Sequence, residues 1–146
     1  MILVDTNILL YATIPEYPEH PAAYQWLLQQ LRNNSRIGLP WASLMGFVRI
    51  TINPKIYKNP VPLKDALKQV SDWLSLDNVW VPEPTAQHIE VLTSILDMST
   101  KDSNLIPDAH LAALAVEHGL TVYSADHDFA KFKRIKWVNP ITDLRH

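Results

Sequence analysis

The chain has 146 residues, 47% of them hydrophobic and 19% charged, which suits one globular domain with a substantial core. It contains no cysteine, which excludes disulfides, thiolate zinc sites and thiol catalysis. Its net charge is −2 and its pI near 6.3, so any contact with nucleic acid must come from a local patch.

The opening "MILVDTNILL" carries an aspartate inside its apolar run and no basic segment before it, so it does not read as a signal peptide. No apolar run approaches the roughly 20 residues of a membrane span, and a cytoplasmic location without membrane contact is expected. "ILV" at 2–4 is a short strand, and "DTNILLYATI" the helix after it. "PEHPAAYQWLLQQLRNN" reads as a helix entered through Pro21 and closed near Asn33–Asn34. "RIGLP" is a short strand. "PWASLMGFVRI" has Trp41, Leu44, Met45 and Val48 at i, i+3, i+4 and i+7, and predicts a helix running to about Asn53, where "NP" stops it. "NPKIYKNPVP" is a loop, "LKDALKQVSDWLSL" an amphipathic helix and "NVWVP" a strand. "TAQHIEVLTSIL" is a helix with Thr85 as its expected cap, and "MSTKDSN" a polar loop. "PDAHLAALAVEHG" is a helix from Pro107 to Gly119, "LTVYS" a strand, "ADHDFAKF" a turn with a short helix and "KWVNP" a last strand. Strands separated by helices imply an α/β fold, a parallel sheet with helices on both faces, in one domain over 1–146. The five tryptophans are expected mostly in the core.

In such sheets, functional groups gather past the C-terminal ends of the strands. Asp5 follows "ILV", and Asp126 and Asp128 follow "LTVYS", while Asp108 opens a helix. Each alone reads well as a helix cap. Together they repel one another unless a cation neutralises them, and Mg²⁺ or Mn²⁺ takes such hard oxygen ligands. Other chemistry lacks a motif. No histidine pair has zinc-motif spacing on one helix face; His110 and His127 neighbour the acids, with surface or capping roles as the simpler reading. There is no G-x-S-x-G elbow and no glycine-rich phosphate loop. Arg49, Lys55 and Lys58, with Tyr57 among them, form a small basic and aromatic segment suited to RNA or simply to solvent.

"VDTNILLYA", "PDAHLAALAVEHGLTVYSADHDFAKF" and the length between them resemble a PIN domain, and more narrowly the VapC-type toxins of bacterial toxin–antitoxin pairs. The resemblance covers essentially the whole chain. It implies a parallel, about five-stranded sheet and an endoribonuclease that uses Mg²⁺ or Mn²⁺ and cleaves RNA by a metal-activated water. It assigns Asp5, Asp108 and Asp126 as the catalytic, metal-holding carboxylates, with Asn7 and the more variable Asp128 in support. It also implies a VapB-type antitoxin partner, a transfer or ribosomal RNA substrate and a homodimer.

The family carries a glutamate on the helix after the second strand, three residues before an arginine-like position. Arg49 marks that register here, and three residues back stands Gly46. A glycine inside a helix costs about 1 kcal/mol relative to alanine. Two readings stand: Gly46 leaves room at the metal edge, or it lets two helices pack closely. Without the second acid, a catalytically weak module that binds RNA or antitoxin is the alternative function. A receiver- or phosphatase-type fold also gathers acids at strand ends. It needs a lysine at a later strand end, whereas Lys136 precedes its strand.

Overall fold

The first strand already divides the molecule in two. In β1 (Ile2–Val4), Ile2 and Val4 enter one apolar core and Leu3 enters another, as the two-residue period of a strand requires. The computed structural model describes residues 1–33 and 35–143. The other strands are β2 (Ile37–Gly38), β3 (Val79–Trp80), β4 (Thr121–Tyr123) and β5 (Trp137–Val138). They form one five-stranded sheet in the order β3-β2-β1-β4-β5, with every pairing parallel.

The chain leaves β1 through α1 (Thr6–Thr13) and α2 (His20–Arg32), and β2 through α3 (Trp41–Thr51) and α4 (Leu63–Leu74). These four helices cover one face: Ile8, Leu9, Trp26, Phe47 and Trp73 pack there against Val4, Ile37 and Val79. From β3 the chain runs back through α5 (His88–Ile95) and α6 (Leu105–His118) to β4, on the other side of β1. These two helices cover the opposite face, with Ile95, Ala112 and Leu114 against Leu3 and Val122. A 3-10 helix (His127–Lys131) links β4 to β5. The expected α/β architecture, with helices on both faces, is therefore present. Among the described residues, no helix is long and apolar enough to cross a membrane.

Several local expectations shift. Helix α2 ends at Arg32 with Asn33 as its cap, and Asn34 lies outside the described residues. Helix α3 stops at Thr51, two residues before Asn53, where the Thr51 hydroxyl donates back to the Phe47 carbonyl at 2.9 Å. Thr85 does not cap α5, whose N-cap is Gln87; its hydroxyl donates instead to Glu117 of α6 at 2.7 Å. Helix α6 starts at Leu105, so Pro107 sits inside the first turn, where a missing N–H costs nothing. It ends at Gly119, whose φ of 68° is the left-handed cap conformation. Only Trp26 and Trp73 of the five tryptophans are buried; Trp41 is 46% exposed.

Candidate active site: acids at the switch point of the sheet

Because β2 and β4 flank β1 on opposite sides, the connections leaving β1 and β4 diverge to opposite faces. They open a crevice at the C-terminal edge of these two strands. Asp5 stands at that edge, directly after β1, with its backbone N–H bonded to the Tyr123 carbonyl of β4 at 3.0 Å. It is 8% exposed. Its Oδ1 accepts from the Thr6 N–H at 2.7 Å and its Oδ2 from the Ser124 hydroxyl at 2.7 Å. The Asn7 amide donates to Ser124 Oγ at 3.2 Å, and Asn7 Oδ1 accepts from the Ala125 N–H at 3.2 Å. Asn7 thus ties the start of α1 to the turn after β4.

Asp126 is held from the same turn. Its N–H donates to Ser124 Oγ at 3.0 Å, and its Oδ1 accepts from the Asp128 N–H at 2.9 Å, capping the 3-10 helix. Asp108 reaches the edge from the first turn of α6. Asp108, Asp126 and Asp128 each bring one carboxylate oxygen within 4.8 Å of the others. Asp5 is not one of this tight triad; its two oxygens accept from Thr6 and Ser124. Its charge is nonetheless felt: burial first, then the charges of Asp5 and Asp126, push the Asp108 carboxyl up to about 7. Burial also raises Asp5 against the lowering effect of its hydrogen bonds. Carboxylates this close need a proton or a cation among them. A set made only of carboxylate oxygens suits a hard divalent ion. Asp128 also faces outward, with Lys131 Nζ 2.8 Å from its Oδ1.

Ser124 is the site residue that sequence reasoning missed. It is fully buried and bonds Asp5, Asn7 and the Asp126 N–H through a single hydroxyl, and Trp137 of β5 donates its indole N–H to the Ser124 carbonyl at 2.9 Å. Its signal was positional: it sits two residues before Asp126, in the segment "SADHDF".

Gly46 lies beside this network. A Cβ built there would come 2.6 Å from Thr6 Oγ1, on the residue that follows Asp5. That hydroxyl donates to the Ser43 carbonyl of α3 at 3.0 Å. Helix α3 therefore crosses α1 at backbone distance, and the position that could carry an extra acid is filled by the Thr6 side chain. Arg49, Lys55 and Lys58 are exposed on the last turn of α3 and the following loop; among the described residues they form no ion pair with the acids. His127 is exposed and edge-on to Trp137, its ring centre 5.5 Å away. His110 does not turn to the acids: its Nδ1 lies 3.0 Å from Nε2 of His88 on α5. His146 lies outside the described residues.

The PIN domain model matches residues 2–135. The chain belongs to the PIN-domain family. It is 37% identical over 140 residues to ribonuclease VapC37 of Mycobacterium tuberculosis, covering 96% of this chain and 97% of that one. It is 36% identical over 143 residues to ribonuclease VapC33 of the same species, covering 98% and 100%. In structure, this PIN domain is similar to VapBC2 from Rickettsia felis bound to a promoter DNA fragment, with TM-score 0.64, 16% identity and coverage of 95% and 98%. It is also similar to FitAcB from Neisseria gonorrhoeae, with TM-score 0.62, 21% identity and coverage of 96% and 98%. Asp5, Asp108 and Asp126 of this PIN domain thus stand on a fold shared with VapBC2 and FitAcB.

Proposed function

We propose that this protein is the toxin of a type II toxin–antitoxin pair: a cytoplasmic, single-domain endoribonuclease that hydrolyses RNA phosphodiester bonds with Mg²⁺ or Mn²⁺. The observation that carries the reading is the convergence of Asp108, Asp126 and Asp128 within 4.8 Å, beside Asp5, at the switch point of a PIN-type sheet. Asp108 and Asp126 would hold the ion, with Asp5 and Asp128 flanking it. A hard divalent ion bound there supplies hydroxide at neutral pH and offsets charge on phosphate oxygens.

The chain supplies position. Ser124 and Asn7 lock the Asp5 and Asp126 segments together, so the carboxylates keep their spacing when a polyanion arrives. Arg49, Lys55 and Lys58 offer cations to a transfer or ribosomal RNA backbone from the neighbouring α3–α4 segment. The cognate VapB-type antitoxin has a seat of suitable chemistry in an apolar cleft of about 300 Å³, lined by Ala12, Tyr24, Leu27, Leu31 and Trp73. Trp41 and Met45, one turn apart on α3 and 46% and 45% exposed, form an apolar patch suited to a two-fold contact in a homodimer.

Incubating purified protein with total RNA, with and without Mg²⁺ or EDTA, tests the activity. Metal-dependent fragments ending in a 5′-phosphate and a 3′-hydroxyl are expected. Products ending in a 2′,3′-cyclic phosphate would overturn the water mechanism. RNA binding without cleavage would favour the binding-module alternative.

A further inference from the structure

On the side of α6 opposite Asp108, which lies two residues before His110, three titratable side chains from three turns of helix form a chain along the α5–α6 seam. Glu117, two turns along α6 from His110, accepts from His88 Nδ1 through Oε2. Its other oxygen accepts twice from Thr85, from the N–H at 2.8 Å and from the hydroxyl at 2.7 Å. The Glu117 side chain is 2% exposed, so this carboxylate is fixed, while the His88 ring retains 16% exposure. Glu117 therefore sets the His88 tautomer: the proton sits on Nδ1 and the Nε2 lone pair is free. That lone pair faces His110 Nδ1 at 3.0 Å.

We propose that His88 Nε2 and His110 Nδ1 form a second metal site, selective for a late first-row divalent transition metal and separate from the acid cluster. Two imidazole nitrogens in adjacent positions of a square-planar or octahedral ion, at about 2.0–2.1 Å each, lie roughly 3 Å apart, so the 3.0 Å hydrogen-bonded separation brings both nitrogens within reach of one ion once the rings turn toward it. On binding, the His110 proton moves from Nδ1 to Nε2, so both rings stay neutral and no further base is needed. Glu117 behind His88 is the carboxylate–histidine arrangement that orients a ligating ring and strengthens it as a donor. Two imidazoles with water completing the shell suit Cu²⁺ or Ni²⁺ ahead of Zn²⁺, and disfavour Mg²⁺.

The test is titration of the full-length protein with Ni²⁺ followed by calorimetry, together with electron paramagnetic resonance of a 1:1 Cu²⁺ sample. The Asp126→Asn variant serves as background, because it weakens the acid site and leaves the histidines in place. Hyperfine coupling to two imidazole nitrogens is expected, falling to one or none in His88→Gln and in His110→Gln. Glu117→Gln should keep the fold and weaken Ni²⁺ binding about 10-fold, the usual effect of losing an orienting carboxylate. Nickel affinity and nitrogen coupling unchanged in His110→Gln would overturn the proposal. So would tight Ni²⁺ binding that is lost only on removal of the acids. RNA cleavage enters neither readout, so this site stands or falls apart from the ribonuclease reading.

Discussion

Asp108 and Asp5 differ in what holds them, and their substitutions should differ accordingly. Asp108 is raised to about 7 by burial and by three neighbouring acids, so Asp108→Asn removes repulsion and should raise the melting temperature of the protein in EDTA while abolishing RNA cleavage. Asp5 accepts from Thr6 and Ser124; an asparagine at position 5 keeps the cap but opposes one amide N–H to the Ser124 hydroxyl. Asp5→Asn should also abolish cleavage, with no gain in melting temperature. A fully active Asp5→Asn protein would sink the site assignment. The same physics gives a pH dependence. Between the ordinary carboxylate value of 3.8 and about 7, the folded metal-free chain binds more protons at Asp108 than the unfolded chain does. Stability in EDTA should therefore fall as pH rises from about 4 to about 7 and then level off. Urea midpoints across that range measure the slope, which should flatten in Asp108→Asn.

At the scale of elements, the contact between α1 and α3 is set by Gly46. A Cβ would meet Thr6 Oγ1 at 2.6 Å and Thr6 Cγ2 at 3.2 Å. Thr6 is β-branched, so rotating its side chain exchanges one clash for another and breaks its bond to the Ser43 carbonyl. The geometry thus favours the close-packing reading over simple open space. Both Gly46→Ala and Gly46→Glu should destabilise by about 1–3 kcal/mol despite the better helix propensity of the new residues. Thermal melting with and without Mg²⁺ checks this. A stabilised Gly46→Ala protein would show that the helices yield. Pairing Gly46→Ala with Thr6→Ser, which removes the Cγ2 methyl, should recover part of the loss.

For the molecule as a whole, its sheet places β1 at the centre with the acid cluster at one edge, and the apolar cleft lies among α1, α2 and α4. Tyr24 lines that cleft and is 46% exposed, so Tyr24→Asp should leave the fold and RNA cleavage intact. It should reduce co-purification with the cognate antitoxin at least 10-fold, because a charge would be desolvated at the contact. Unchanged co-purification would move the antitoxin to another surface.

The hydrophobic patterning alone determined the order of strands and helices and hence the parallel sheet. Short apolar runs such as "ILV" and "LTVYS" cannot pair with one another locally, and the segments between them have helical periodicity. It also pointed to one edge of the sheet for the acids that follow β1 and β4, whereas the tight grouping of Asp108 with Asp126 and Asp128, and Asp5 beside rather than within it, came from the packing of α6 against the turn after β4. Tertiary structure alone decided what depends on distances between elements remote in sequence. Ser124 became the hub of the site because its hydroxyl lies within 2.7 Å of Asp5, 119 residues away. His88 and His110, on different helices and without any zinc-motif spacing, face each other only because α5 packs on α6. The role of Gly46 rested on Thr6, 40 residues earlier, since helical periodicity says which face a residue lies on but not how closely the opposing backbone approaches.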